Sequence, residues 1–193
     1  CIYHREKGFP YRPKLPKWEA MEILNKLATK KPEELINSDL GYALADGYHP
    51  QRFHGTATGK ISPFEAFNDD ERSKYAIEAA LISEKSAKKF ITFLSSLRNA
   101  QACSNFRPGY AAYLYRTFCG GIENPTVLDT SMGYGGRLVG FLGSGLGGKY
   151  IGVDPDEQSC AGNAALMQDF PELIDAFIIK KPAEDVSEEL ISD

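Results

Sequence analysis

Val127-Leu128-Asp129-Thr130-Ser131-Met132-Gly133-Tyr134-Gly135-Gly136-Arg137-Leu138 is the stretch that decides how this chain folds. A short apolar run ends in an acid, glycines follow, and an amphipathic run begins with Leu138, Val139, Phe141 and Leu142. That order spells strand, tight turn, helix. Glycines let a backbone approach a ligand closely, and a helix start offers amides without intrahelical partners to an anionic group. A second apolar run, Tyr150-Ile151-Gly152-Val153, ends in Asp154, eighteen residues after Gly136. An acid at the tip of the second strand of a doubly wound sheet accepts hydrogen bonds from ribose hydroxyls. A third strand is expected through Ala176-Phe177-Ile178-Ile179. The first two strand tips together describe a site for a nucleoside-containing cofactor.

Two cofactor classes fit such a turn. The dinucleotide fingerprint G-x-G-x-x-G finds Gly133 and Gly135 in place but Leu138 where the third glycine belongs. The spacing Asp129-x-x-x-Gly133-x-Gly135-Gly136 resembles instead the first motif of S-adenosylmethionine-dependent methyltransferases, and Tyr150-Ile151-Gly152-Val153-Asp154-Pro155 resembles their second. Upstream, Ser104-Asn105-Phe106-Arg107-Pro108 precedes a helical pattern, Tyr110 to Tyr115, with Pro108 suited to a first helical position. This arrangement resembles the amino-methyltransferases of DNA, in particular phage and bacterial methylase-like proteins with S-N-F-R-P and a G-x-G-G-R-L-x-G turn. The resemblance covers roughly residues 104 to 185.

What the resemblance implies can be stated residue by residue. Phe106 and Pro108 would wall the methionine end of S-adenosylmethionine, and Arg107 could neutralise its carboxylate. Asp129, Ser131, Gly133 and Gly135 would belong to the cofactor turn, and Asp154 would take the ribose. A polar or acidic residue after the third strand, Glu184 or Asp185, would sit near the adenine ring. The same acids also read as a solvated helix start, where negative charge favours the dipole. The implied fold class is α/β: a partial Rossmann-like sheet of the class I methyltransferase kind, preceded by a mainly helical N-terminal region. Residues 1–103 would be that helical region with a basic arm. Residues 104–193 would be the cofactor-binding part. The implied activity is methylation of the exocyclic amine of adenine or cytosine in DNA, with the base extruded from the duplex.

One element of the family is missing from these 193 residues. The D/N/S-P-P-Y/F/W tetrapeptide that accepts the target amine does not occur. Ser62-Pro63-Phe64-Glu65 has one proline and reads as a capping box, with Ser62 as N-cap and Glu65 three residues on. No catalytic residue is therefore assigned. The chain starts at Cys1 and stops at Asp193, where a fourth strand should begin, so both ends read as cuts through a longer protein. A partner chain or a further C-terminal part would complete the sheet, and DNA would be met through the complete protein. Two other readings stay open. One is a non-catalytic component that binds cofactor or nucleic acid in a larger assembly. The other is a methyltransferase acting on RNA, protein or a small molecule.

Composition bounds the rest. No apolar run approaches the roughly 20 residues of a membrane span. Four cysteines without C-x-x-C spacing read as reduced thiols in a cytoplasmic enzyme. Cys1-x-x-His4 has no second pair, so no metal site is assigned. Residues 1–31 carry a net charge of +5 and the remainder −9. The basic stretch interleaves Tyr3, Phe9, Tyr11 and Trp18, which suits phosphate contact and base stacking as well as a solvated arm. Helices are expected over Trp18–Leu27, Pro32–Ile36, Asp69–Ile82 and Glu84–Leu97, with Ser83 as a cap. Residues 41–60 read as a loop, in which His49 and His54 have no acid at triad-like spacing and receive no catalytic role.

Overall fold

A computed structural model of the chain describes residues 8–56, 59–82, 90–97 and 99–187. In chain order the helices are α1 (Lys17–Thr29), α2 (Pro32–Leu35) and α3 (Tyr42–Asp46), then a 3-10 turn (Pro50–Phe53), then α4 (Pro63–Asn68), α5 (Asp70–Ile82), α6 (Phe90–Ser96) and α7 (Pro108–Cys119). There follow β1 (Thr126–Asp129), α8 (Gly136–Leu142), β2 (Lys149–Val153), α9 (Glu157–Asp169), β3 (Asp175–Ile179) and a 3-10 turn (Ala183–Asp185). The chain divides into two compact units. One joins residues 1–12 to 50–104, and the other joins 13–49 to 105–193.

The second unit is α/β. Its three strands are parallel in the order β1-β2-β3, with Leu128 beside Ile151 and Ile151 beside Phe177. Parallel neighbours need crossovers, and α8 and α9 supply them. The core holds Leu24, Leu27, Leu44, Leu138, Phe141 and Tyr150. Helix α1 places Ala20, Leu24 and Leu27 on its buried face, at the i, i+4, i+7 spacing of an amphipathic helix. It stops at Lys30, in extended backbone, two residues before Pro32. Helix α7 begins with Pro108 at its first turn, as the sequence predicts. Gly140 of α8 lies so close to α7 that a Cβ there would stand 2.4 Å from Ala111 Cβ.

The first unit is built on Phe53, Phe67, Phe90, Ile91 and Leu94, with Phe9 beside them. The expected capping box is present: Glu65 N donates to Ser62 Oγ at 3.1 Å and Ser62 N donates to Glu65 Oε2 at 2.7 Å. The Ser62 backbone amide holds the Glu65 carboxyl below its ordinary value. Phe90, Ile91 and Leu94 of α6 are buried. Ser83 and the start of that expected helix lie outside the described residues, as does Cys1-x-x-His4.

Two expectations change. Residues 41–60 are not a plain loop, because they contain α3 and a 3-10 turn, with Leu44, Ala45 and Phe53 buried. Residues 13–49 belong with 105–193 in one unit. The physical reason is the leucine face of α1 to α3, which is buried in the same core as Leu138 and Tyr150. The basic stretch is not a free arm in its described part. Lys14 pairs with Asp169 at 3.6 Å, Lys17 with Glu172 at 2.9 Å, and Phe9 is only 8% exposed. No helix among the described residues is long and apolar enough to cross a membrane.

Candidate functional site

The carboxyl ends of parallel strands are where open α/β sheets bind ligands. In the second unit that end carries Asp129, the glycine turn and Asp154. The turn is held by side chains from several directions. Asp129, 7% exposed, accepts from Ser131 N at 3.2 Å, from Arg137 Nε at 2.7 Å and from Tyr150 Oη at 2.5 Å. Arg137 also donates to Ser131 O, so one salt bridge closes the whole of residues 129–137 into a ring. Asp154 accepts from Gly133 N at 2.8 Å through one oxygen and from Asp156 N at 2.9 Å through the other. Asn163 Nδ2, from the buried face of α9, donates to Gly133 O at 2.8 Å. Met132 N is taken by Val153 O of the neighbouring strand.

Electrostatics follow this geometry. Burial opposes the charge on Arg137, but the hydrogen bond and charge of Asp129 outweigh it and raise its pKa. Burial and then the Asp129 charge push Tyr150 well above its ordinary value, so its hydroxyl remains a donor. Burial, and then the same carboxylate, raises Tyr115 as well. Asp156 caps α9 by accepting from Ser159 N at 2.7 Å, and hydrogen bonding from Ser159 lowers its pKa. Burial raises the Cys160 thiol, with Asp154 and Asp156 adding to it, which keeps the sulfur protonated.

Two amides around the start of α8 are already engaged. Gly133 N and Gly136 N both have side-chain acceptors, Asp154 and Asn105. The same Asn105 donates through Nδ2 to Tyr134 O at 2.9 Å. Gly135 lies at φ 75°, and a Cβ there would meet Asn163 Oδ1 and His49 Nε2, each at 2.9 Å. At Gly136 a Cβ would stand 2.0 Å from Phe106 O. Both positions therefore require glycine, one for its backbone angle and both for close approach.

The structure gathers Phe106, Asp129, Ser131, Gly133, Gly135 and Asp154 around this turn. The Arg137 guanidinium lies over the Phe106 ring, 5.2 Å from its centroid. Pro108 is buried as the first residue of α7, close to Gly41. Arg107 is exposed and donates to Asn37 Oδ1 at 3.3 Å. Glu184 is exposed in the 3-10 turn after β3, and neither it nor Arg107 is among the groups holding the glycine turn. Sequence reasoning missed Asn105, Asn163 and His49. A buried Asn beside Ser159 and Gly162 on one helix face was the available signal for Asn163. His49 had none, since it is read alone while its neighbours Gly135 and Gly162 lie far along the chain.

Asp154 keeps a second lone pair on each carboxylate oxygen, enough to accept two further hydroxyl donors. Among the described residues no group of three or more His, Cys, Asp or Glu side chains is placed to hold a metal ion. A hollow of about 640 Å³ opens at the other end of the strands, lined by Gly147, Gly148, Lys149, Glu172 and Asp175, away from the turn. No protein-family model matches this chain, and comparisons with curated proteins and with solved structures give no match.

Proposed function

We propose that this chain is the cofactor-binding part of an S-adenosylmethionine-dependent methyltransferase acting on the exocyclic amine of adenine or cytosine in DNA. Its second unit then belongs to the Rossmann-like class I methyltransferases. The observation that carries the reading is one connected turn: Asp129 at the end of β1, the Gly133-x-Gly135-Gly136 bend, and Asp154 of the neighbouring strand fastened to Gly133. The residues fit such a ligand. A Cβ at Gly133 would find its nearest neighbour, Ser131 O, 3.8 Å away, so this face of the turn is open to close approach. Asp154 would accept from the ribose hydroxyls, Phe106 and Pro108 would wall the methionine end, and Arg107 would face its carboxylate. Glu184 would lie toward the adenine. When bound, this cofactor supplies a methyl group already activated by its sulfonium, so the protein's work is positioning.

Titration calorimetry with S-adenosylhomocysteine and with NAD tests the reading. Binding of the first and not the second is expected, because Leu138 replaces the third dinucleotide glycine. NAD binding without a response to S-adenosylhomocysteine overturns it. Because the amine-accepting tetrapeptide is absent from the sequence, a non-catalytic cofactor-binding component is the second reading. Labelled cofactor and unmethylated DNA, digested to nucleosides, separate the two. This chain alone is expected to leave DNA unmethylated, and robust methylation by it would place catalytic residues inside the chain. A longer form carrying the tetrapeptide should methylate adenine or cytosine, and binding without turnover by that form favours the second reading.

A further inference from the structure

Residues 105–108 border the glycine turn, and the Asn105 side chain bonds to it in a specific way. Asn105 Nδ2 donates to Tyr134 O at 2.9 Å, and Gly136 N donates to Asn105 Oδ1 at 3.2 Å. Tyr134 O belongs to the peptide plane before the Gly135 α-carbon, and Gly136 N to the plane after it. One planar amide therefore fixes both planes that border Gly135. Those two planes define its φ and ψ, and Gly135 sits in the left-handed region at φ 75°. A glycine left to itself samples both signs of φ about equally. Val139 N adds a bond to the second plane, donating to Gly135 O at 2.9 Å, whereas the other side-chain fasteners act elsewhere. Asp154 and Asn163 hold Gly133, while Asp129 and Arg137 hold Ser131.

Asn105 is itself held in place. Tyr42 Oη donates to its carbonyl oxygen at 3.4 Å, and the adjoining Phe106 O lies so near Gly136 that only hydrogen fits between them. We infer that Asn105 is the positioning residue of the proposed cofactor site, setting Gly135 in its left-handed conformation before any ligand arrives. What the turn binds rests on the reading above, whereas the setting of Gly135 does not. A preset turn binds more tightly because its ordering cost is met during folding and not on association.

The experiment uses the full chain, labelled with nitrogen-15, and two variants. In the parent, the Gly136 amide and the Asn105 side-chain amide protons should exchange slowly with solvent. Asn105→Ala should release the Gly136 amide and weaken S-adenosylhomocysteine by about tenfold, equivalent to about 1.4 kcal/mol, the order expected for losing one or two hydrogen bonds. Asn105→Asp keeps the acceptor for Gly136 N and loses the donor to Tyr134 O. It should keep the Gly136 amide protected and lose only part of the affinity. Affinity is measured at a temperature where both variants are folded, so a purely structural role would leave it unmoved. Fast exchange at Gly136 in the parent overturns the inference, and that reading stands even if Asn105→Ala fails to fold. So does an Asn105→Ala protein with parental exchange and affinity. If the parent binds no S-adenosylhomocysteine, the functional reading fails while the exchange data still decide the role of Asn105.

Discussion

Replacing Asp154 is the sharpest test of how the site is built. The carboxylate is 9% exposed and accepts two backbone amides, Gly133 N at 2.8 Å and Asp156 N at 2.9 Å. Hydrogen bonds to a charged group are worth about 1.5–3 kcal/mol each when one partner is removed. The Asp156 amide belongs to an exposed residue, so water replaces its acceptor and the lower figure applies. The Gly133 amide faces into the turn and takes the higher. Asp154→Ala should therefore destabilise the second unit by about 4.5 kcal/mol. Asp154→Asn retains one acceptor but turns an NH₂ toward the other amide, for a loss of about 2 kcal/mol. Urea unfolding followed by circular dichroism, with nitrogen-15 spectra reporting Gly133, measures both. An Asp154→Ala protein within about 0.5 kcal/mol of the parent, the usual range of a surface substitution, would refute the fastening role. The order Ala worse than Asn has a consequence for binding work. Weaker cofactor binding by Asp154→Ala mixes a loosened turn with a lost ribose contact, so the ribose assignment has to be read from Asp154→Asn under folded conditions.

Two further outcomes follow from neighbouring residues. Gly136→Ala drives a Cβ to 2.0 Å from the backbone oxygen of Phe106 and should cost about 3 kcal/mol or more. Gly133→Ala meets nothing nearer than 3.8 Å and should cost only the left-handed strain, about 1 kcal/mol; thermal unfolding that reverses this order contradicts the close approach of segment 104–107. At Asp156, hydrogen bonding from Ser159 lowers the folded-state pKa, so the stability it supplies is complete above the ordinary carboxylate range and is lost as pH falls through the lowered value. Asp156→Asn should flatten that acid limb in a pH series of urea midpoints, and an unchanged limb would show that the cap carries no such linkage.

The strand, turn and helix around Gly133 were legible because their signals are local: an apolar run, an acid, glycines, then helical spacing. The Ser62 capping box was legible for the same reason, since both partners lie within one turn. What the sequence could not show was which surface the leucines of residues 13–49 cover. Leu24, Leu27, Leu35 and Leu44 announce burial but not the identity of the neighbour. Helix α3 escaped because one helical turn between Gly41 and Gly47 carries almost no periodicity, and the residues packed against Gly41 at its start, Pro108 and Val139, lie far along the chain. The site was half visible. Asp129 and Asp154 stand at strand tips, where acids draw notice. Asn105 and Asn163 act on backbone groups about thirty positions away, and nothing around Asn105 marks that reach.

The interleaving of the two units sets an order on synthesis. Domains fold in the order in which they leave the ribosome, and the unit made of residues 1–12 and 50–104 is complete once residue 104 has emerged. The other unit cannot close then. Its first helices, with Leu24, Leu27, Leu35 and Leu44, are already outside, while Leu138, Phe141, Tyr150 and Leu166 have not been made. Closing that separation later costs little at equilibrium, since loop entropy grows only with the logarithm of length. In time it costs more, because contacts far apart in sequence form slowly. For that interval the nascent chain displays a leucine face with no mate. A holding chaperone would find its target in residues 17–46, and a stall in translation anywhere between 105 and 138 would lengthen the exposure.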